Sequence, residues 1–329
     1  MKKLSQTHLK ISPMGLGCMG MSEFYGQTND QDSLQILEQA FHAGINFFDT
    51  ADTYGHGHNE QLLGQFIAHY RTEREAMVIA TKFGIVRAEN HYKRRIDNTP
   101  DYIRSACEAS LKRLGIEQID LYYCHRRQPE IPIEDVTATL ADLVQEGKIK
   151  SFGFSEISAQ SLEKACAIAP VTAVQSEYSL WSREPEQSLL NTCQQLNVEF
   201  VAYSPLGRAF LTADLNPETM PENDFRKNLP RLQGEAFQSN QLLLKKFSGL
   251  CQSWQHSNAQ IALAWLLRKH AHVTPIFGTR HLNYLQDNLK ANQVKLTNEQ
   301  ILQLDQLFAP DQIQGERYPD AGWTGIETA

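Results

Sequence analysis

The chain has 329 residues, with 31 basic and 38 acidic side chains and a formal net charge of −7, and this length fits one α/β barrel with insertions. The acidic balance argues against nucleic acid as a partner, and no apolar run resembles a signal peptide or reaches the ~20 residues that span a bilayer. The six scattered cysteines form no C-x-x-C pair, which favours reduced thiols and a cytoplasmic protein over a zinc or disulfide scaffold.

Short apolar runs alternate with longer amphipathic segments along the chain. Several of the short runs are apolar throughout, which is typical of parallel strands buried on both faces. In chain order, the predicted strands are Gly15–Met19, Asn46–Thr50, Met77–Lys82, Ile119–His125, Ile149–Ser155, Thr172–Tyr178, Glu199–Ser204 and Val273–Gly278. The helices with the clearest start and stop signals are predicted at Asp32–His42, Asp101–Leu114, Ile133–Gln145 and Ala259–Lys269.

Eight strands separated by helices, with no break in composition, predict a single α/β domain over residues 1–329. Eight strands can close a barrel, whereas the alternative, an open doubly wound sheet, lacks its usual glycine fingerprint. Gly15 to Gly20 spell G-x-G-x-x-G, but a loop-like segment, residues 21–29, follows where a helix is needed. Outside the alternation, residues 207–239 are predicted to form a long loop, and residues 310–329 a polar C-terminal tail.

Four side chains stand out because of their positions at the ends of predicted strands. Asp49, Lys82 and His125 each fall at the carboxyl end of a different strand, and Tyr54 follows Asp49 by five residues. In a barrel, the carboxyl ends of the strands meet on one face, where active sites are built. Each residue alone has an ordinary structural explanation, but their equivalent placement indicates a catalytic group.

The chemistry of these four residues indicates carbonyl reduction. A buried Asp49 is expected to pair with Lys82, and the ammonium group of Lys82 is expected to lower the pKa of Tyr54. Tyr54 then serves as the general acid, while His125 polarises and orients the carbonyl oxygen. None of these groups is a source of hydride, so a nicotinamide cofactor is required.

Over essentially its full length, the chain resembles the aldo-keto reductases, and its variants are most similar to those of microbial NADPH-dependent members. The resemblance lies in Phe48-Asp49-Thr50-Ala51 through Tyr54-Gly55, Ala80-Thr81-Lys82-Phe83-Gly84, Asp120-Leu121-Tyr122-Tyr123-Cys124-His125, Gly153-Phe154-Ser155-Glu156, Val174-Gln175-Ser176-Glu177-Tyr178, Ala202-Tyr203-Ser204-Pro205-Leu206-Gly207 and Gly278-Thr279-Arg280. It implies a (β/α)8 TIM barrel with an N-terminal hairpin and extra C-terminal helices, and a catalytic tetrad of Asp49, Tyr54, Lys82 and His125.

The resemblance also implies how the cofactor is held. Ser155 and Gln175 match positions that bind the nicotinamide carboxamide, and Tyr203 matches the aromatic residue that stacks on the nicotinamide ring. Arg280, beside a helix N-terminus, favours NADPH over NADH because it suits the 2′-phosphate. The other implied cofactor positions are Cys18, Met19 and Asp49, then Ser204, Pro205, Leu206, Gly207 and Arg208 along the pyrophosphate, and Gly278, Thr279, Gln286 and Asn288 at the adenosine end.

Two positions depart from the family pattern. Glu156 stands where the family usually has asparagine after the serine, so help to the carboxamide from this side chain is in question. Phe277 replaces a proline found in many relatives before the Gly-Thr pair. Neither position belongs to the tetrad.

Substrate contacts are predicted only in outline, for a small carbonyl compound. Tyr25 and Trp181 are candidates to line the pocket, and Arg126 is a candidate to meet an anionic substrate or, equally, to pair with acidic neighbours, as is Arg127. Specificity is expected in the loops 21–31, 84–98 and 207–239 and in the tail.

Two features of the sequence are also compatible with other function classes. The His56-Gly57-His58 sequence suggests a metal-dependent barrel hydrolase, but it lies in a polar loop rather than at a strand end, so no metal is expected. Potassium-channel β subunits resemble this fold and hold a nucleotide while regulating a membrane partner, which makes a regulatory subunit the other alternative.

Overall fold

The computed structural model describes residues 1–87, 94–222 and 224–327, and its centre is a closed barrel of eight parallel strands. The predicted (β/α)8 barrel is confirmed, and each predicted strand overlaps an observed one. The barrel strands are β3 (Gly15–Gly17), β4 (Phe47–Asp49), β5 (Val78–Phe83), β8 (Leu121–Cys124), β9 (Phe152–Ser155), β10 (Ala173–Glu177), β11 (Glu199–Tyr203) and β12 (Val273–Phe277). Strand β12 pairs with β3 and closes the barrel.

Two short antiparallel ribbons accompany the barrel. The expected N-terminal hairpin pairs β1 (Lys2–Lys3) with β2 (Lys10–Ile11), and it places the buried Leu4 and Ile11 against the residues that fill the barrel interior. The second ribbon, β6 (Ile85–Arg87) with β7 (Arg94–Ile96), follows β5 within the segment predicted as the loop 84–98. Its tip, residues 88–93, lies outside the described residues.

Helices surround the barrel and bury its outer face. They are α1 (Asp30–His42), α2 (His58–His69), α3 (Pro100–Leu114), α4 (Ile133–Gln145), α5 (Ala159–Ile168), α6 (Leu189–Gln195), α7 (Gly234–Ser253), α8 (Asn258–Lys269), α9 (Leu282–Leu289) and α10 (Asn298–Leu307). The capping signals agree with the sequence: the Thr99 side chain accepts from the Tyr102 amide at the start of α3, and Gly115 ends this helix at a φ of 65°. Across the described residues, no helix is long and apolar enough to cross a membrane.

The barrel strands are apolar because both of their faces are covered. Phe47 points into the barrel and packs with Tyr123 and Val201, whereas Phe48, the next residue, belongs to the layer between sheet and helices. Gly153 in β9 makes room for this interior, since a Cβ there would lie 2.2 Å from the Ala173 carbonyl oxygen and 2.8 Å from the Tyr123 ring. Close packing therefore fixes the strands that carry the site.

Two predicted irregular segments are more ordered than expected. Residues 207–239 contain four short 3-10 helices, and then helix α7 begins at Gly234, so the prediction of a loop is wrong for residues 234–239. The tail contains 3-10 turns at Pro310–Gln312 and Asp320–Trp323, and it returns to the carboxyl ends of the barrel strands. Residues 223, 328 and 329 of these segments lie outside the described part of the chain.

Candidate active site

Three strand ends and one short helix bring the predicted tetrad together. Asp49 ends β4, Lys82 lies near the end of β5, His125 directly follows β8, and Tyr54 opens a 3-10 helix that runs to Gly57. Lys82 Nζ donates to Asp49 Oδ1 at 2.5 Å and lies 3.4 Å from the Tyr54 hydroxyl, while the Tyr54 and His125 rings meet edge to face with centroids 5.7 Å apart. All four side chains are at most 9% exposed.

Asp49 and Lys82 form a buried ion pair that depends on neighbouring groups. Burial raises the pKa of Asp49 and lowers the pKa of Lys82, and each charge opposes the effect of burial on the other. Lys82 Nζ also donates to the Thr50 carbonyl oxygen at 2.7 Å, and Gln175 Nε2 donates to Asp49 Oδ2 at 2.8 Å. These hydrogen bonds give the two charged groups the additional partners that a buried ion pair needs.

The expectation that Lys82 lowers the pKa of Tyr54 is wrong in direction. Burial and the negative charge of Asp49 raise the pKa of Tyr54 well above its usual 10. The positive charge of Arg126 opposes this rise in pKa but does not outweigh it. Tyr54 is therefore a fully protonated phenol at neutral pH, which is the form that a proton donor needs.

His125 is held as a neutral imidazole. Burial lowers its pKa well below 6.5, and the positive charges of Arg126 and Lys82 lower it further. Among the described residues, its Nδ1 has no hydrogen-bond partner. A neutral ring at the cavity wall can donate one N–H to an oxygen atom without adding a cation.

A cavity of about 850 Å³ opens above these residues at the carboxyl ends of the barrel strands. Tyr54, His125 and Asp49 line its wall, and so do Arg280 and Asn288. A pocket of this size can hold a dinucleotide together with a small substrate.

The predicted carboxamide and ring positions line the cavity near the tetrad. Ser155, Gln175 and Tyr203 all contribute to its wall, with Ser155 Oγ accepting from Arg126 Nη1 at 3.1 Å. The Tyr203 hydroxyl lies 2.9 Å from the hydroxyl of Tyr318, a tail residue that also lines the cavity. These residues fit a nicotinamide, since they combine an aromatic ring with polar groups in one wall.

Glu156, where the sequence departs from the family pattern, binds an arginine of the C-terminal tail. Its carboxylate accepts from Arg317 at 2.9 and 2.8 Å, and its Oε1 also accepts from the Glu177 amide at 3.0 Å. The pair is buried at both ends. Glu156 therefore anchors the tail to the end of β9, which places Tyr318 beside Tyr203.

The predicted pyrophosphate segment crosses the same wall. Ser204, Pro205, Leu206 and Arg208 line the cavity, and Gly207 turns the chain at a φ of 56°. Arg208 donates to Glu177 Oε2 at 2.6 Å, so its charge is already paired.

Most of the residues predicted for the adenosine end of the cofactor line the cavity. Gly278, Thr279, Arg280 and Asn288 line the cavity, whereas Gln286 is exposed on the surface of α9 and does not reach it. The neighbouring Asp287 lines the wall instead, which the sequence alone did not reveal because one residue on a helix turns the side chain by about 100°.

The first loop folds over the cavity. Met19 and Tyr25 line it, whereas Cys18 is buried outside the wall. Arg280 donates to the Gln27 carbonyl oxygen, and the Phe225 amide donates to the Phe24 carbonyl oxygen at 3.3 Å. The first loop and the segment around residue 225 therefore meet across the opening.

The candidate substrate residues divide into two groups. Tyr25 and Arg126 lie in the cavity wall, but Trp181 is buried elsewhere, stacked on Phe210 with ring centroids 3.9 Å apart. Sequence reasoning missed Phe24, Ile85, Arg87, Arg94 and Tyr318, all of which line the cavity. All five lie in the segments 21–31 and 84–98 and in the tail, where specificity was expected, but no individual residue of them was predicted; Arg87 and Arg94 come from the β6–β7 ribbon.

The His56-Gly57-His58 segment lies beside the site but not in its wall. His56 is exposed, while the His58 ring contacts Ser22 Oγ at 2.9 Å and Asp30 Oδ1 at 3.0 Å. Within residues 1–87, 94–222 and 224–327, no group of three or more His, Cys, Asp or Glu residues could hold a metal ion.

Comparison with known proteins agrees with this geometry. The model of the aldo/keto reductase family matches residues 13–309. A probable aldo-keto reductase 1 from Glycine max is 40% identical over 317 residues, covering 96% of this chain and 91% of that protein.

Solved structures are similar as well. The glycerol dehydrogenase from Gluconobacter oxydans matches with a TM-score of 0.82 and 29% identity, covering 91% of this chain and 92% of its own. A thermostable aldo-keto reductase in complex with the inhibitor epalrestat matches with a TM-score of 0.73 and 31% identity, covering 93% and 98% of the two chains.

The barrel and these comparisons define an oxidoreductase that acts on carbonyl or CH–OH groups of small molecules with a nicotinamide cofactor. The chain belongs to the aldo/keto reductase family.

Proposed function

We propose that this protein reduces an aldehyde or ketone to an alcohol with NADPH, and that Tyr54 supplies the proton. The observation that carries the proposal is the Tyr54 hydroxyl, which is protonated, lies in the cavity wall and is 3.4 Å from Lys82 Nζ. When bound, NADPH supplies the hydride that the carbonyl carbon accepts.

Tyr54 donates its phenolic proton to the carbonyl oxygen as the carbon becomes tetrahedral. The phenolate that results is stabilised by the Lys82 ammonium group, whose position is fixed by Asp49 and the Thr50 carbonyl oxygen. A phenol with a raised pKa does not lose its proton to water beforehand. Tyr54 therefore still carries its proton when the carbonyl oxygen becomes basic enough to accept it.

His125 complements Tyr54 at the same oxygen. Its neutral ring lies edge to face with the Tyr54 ring, so both side chains can reach one oxygen atom in the cavity. An N–H of the imidazole aligned with this oxygen stabilises the charge that develops during reduction.

Arg280 supports NADPH as the cofactor. It lies in the wall of the cavity, and no carboxylate of the described residues forms an ion pair with it. A guanidinium group binds a phosphate in a bidentate manner, which suits the 2′-phosphate that distinguishes NADPH from NADH.

The experiment follows NADPH absorbance at 340 nm while the purified protein is mixed with a panel of aldehydes and ketones. The proposal predicts carbonyl-dependent oxidation of NADPH and formation of the matching alcohol. Tight binding of NADPH without turnover of any carbonyl would contradict it and favour a nucleotide-binding regulatory subunit.

A further inference from the structure

Two arginines follow His125, and the structure gives them different surroundings. Arg127 has a carboxylate neighbour, because its Nε lies 3.4 Å from Glu327 Oε1 and its Nη2 donates to the Ile131 carbonyl oxygen at 2.6 Å. Arg126 instead lies in the cavity wall, next to His125 and on the same side as Tyr54.

Arg126 is buried and incompletely paired. Only 6% of it is exposed, and its Nη1 donates to the His125 carbonyl oxygen at 2.7 Å and to Ser155 Oγ at 3.1 Å. Its Nε is buried without a partner, and within the described ranges it forms no ion pair with a carboxylate. A guanidinium group does not lose its proton, and no carboxylate of the described residues lies within ion-pair distance of this one, although the more distant charge of Glu156 favours its charged form.

The acidic groups nearby are already engaged with other cations. Glu156 is bound in a bidentate manner by Arg317, and Asp49 is bound by Lys82. Arg87 and Arg94 add further positive charge to the cavity wall; Arg87 pairs with Glu23, and Arg94 donates to the Gly322 carbonyl oxygen at 3.0 Å. Together with Arg126, these two arginines disfavour protonation of His125, which indicates that their field reaches the reacting position.

Building on the proposed function, we infer that Arg126 binds a carboxylate of the substrate, so that the preferred substrates are oxo acids small enough to place the carboxylate at Arg126 and the carbonyl group at Tyr54 and His125 together. The planar fork of Arg126 matches a carboxylate. Arg126 lines the same cavity as Tyr54 and His125, and its charge acts on both of these side chains. A carboxylate at Arg126 and a carbonyl oxygen at Tyr54 and His125 can therefore belong to one small molecule.

A purely positioning role for Arg126 is the competing explanation. Its bond to Ser155 Oγ could orient this serine toward the nicotinamide carboxamide. In that case, removing Arg126 weakens the binding of NADPH and slows all carbonyl substrates by the same factor.

The test compares two matched pairs of aldehydes: 4-formylbenzoate with its methyl ester, and 4-oxobutanoate with butanal. We expect the wild-type protein to favour the carboxylate in at least one pair by about tenfold or more in kcat/KM, as for a hydrogen bond between charged groups. Arg126→Met should reduce that preference to about one, and Arg126→Lys should retain part of it. The matched control is Arg95→Met, since Arg95 carries the same charge on an exposed side chain that pairs with Asp97.

The outcomes separate the two proposals. NADPH oxidation without any preference for a carboxylate would overturn the inference and leave the proposed function standing. The inference would also be overturned, with the proposed function still standing, if Arg126→Met lowered kcat/KM equally for both members of a pair and raised the Kd for NADPH. Failure of the wild-type protein to reduce any aldehyde would instead overturn the proposed function, and this inference with it.

Discussion

The buried pair of Glu156 and Arg317 provides a quantitative test of how the tail is held. Replacing Arg317 with methionine keeps an unbranched apolar stem but removes the guanidinium group. The carboxylate of Glu156 then loses two hydrogen bonds, at 2.9 and 2.8 Å, and remains buried with the Glu177 amide as its partner.

The expected loss follows from the pKa of Glu156. Burial opposes its ionisation, but the charge and hydrogen bonds of Arg317, with smaller contributions from Arg126 and Tyr203, outweigh burial and lower the pKa from 4.5 to about 2. At about 1.4 kcal/mol for each unit, the ionised form is stabilised by roughly 3 kcal/mol relative to the unfolded chain. This value agrees with the ~3–5 kcal/mol usually lost when one partner of a buried pair is removed.

Urea denaturation of the wild-type protein, Arg317→Met and the double variant Glu156→Gln with Arg317→Met measures this loss. We expect Arg317→Met to lower the free energy of unfolding by about 3 kcal/mol at pH 7, and the double variant to recover part of it by removing the unpaired charge. Because the pKa of Glu156 is lowered in the folded state, its contribution is present above pH 4.5 and is lost as the pH falls toward 2. A loss below ~0.5 kcal/mol, equal to that of the exposed Arg95→Met, would refute the reasoning.

Three further predictions concern the cofactor, the histidine and the barrel packing. Arg280→Met should raise the Kd for NADPH about tenfold or more while changing the Kd for NADH little, as measured by fluorescence titration; equal changes for both would contradict a 2′-phosphate contact. Because the pKa of His125 lies well below 6.5, kcat/KM for reduction should stay flat from pH 6 to 8, and a fall as the pH rises through 6.5 would mean that the charged ring is the active form. Gly153→Ala should lower the free energy of unfolding by about 2 kcal/mol or more because its Cβ would meet the Ala173 carbonyl oxygen, whereas Gly249→Ala, with nothing within 4 Å, should have no such effect.

The barrel strands and the tetrad could be predicted because their signals are local. A strand such as β5 is mostly apolar on both faces, so its residues stand out from the helical segments, and its single charged side chain is Lys82, near its end. The topology of a barrel then brings such strand ends together. Side-chain type and position in the chain were sufficient for this part of the site.

Other parts of the site depend on contacts between distant segments. Glu156 and Arg317 are 161 positions apart, and only the return of the tail to β9 makes them partners. Trp181 lies close to β10 in the chain but packs against Phe210, which turns it away from the cavity. The electrostatic state of Tyr54 was mispredicted for a similar reason, since burial and the charge of Asp49 are properties of the folded site rather than of the Asp49–Tyr54 spacing.

The central claim, that Tyr54 donates the proton in an NADPH-dependent reduction, is tested most directly by kcat for an aldehyde in Tyr54→Phe. Tyr70→Phe is the matched control, because Tyr70 donates its hydroxyl to Glu38 at 2.7 Å outside the cavity wall. We predict that Tyr54→Phe binds NADPH normally and lowers kcat by about 100- to 10,000-fold, the usual contribution of a general acid, while Tyr70→Phe retains the wild-type rate. A Tyr54→Phe variant that reduces the aldehyde at the rate of the Tyr70→Phe control would contradict the mechanism.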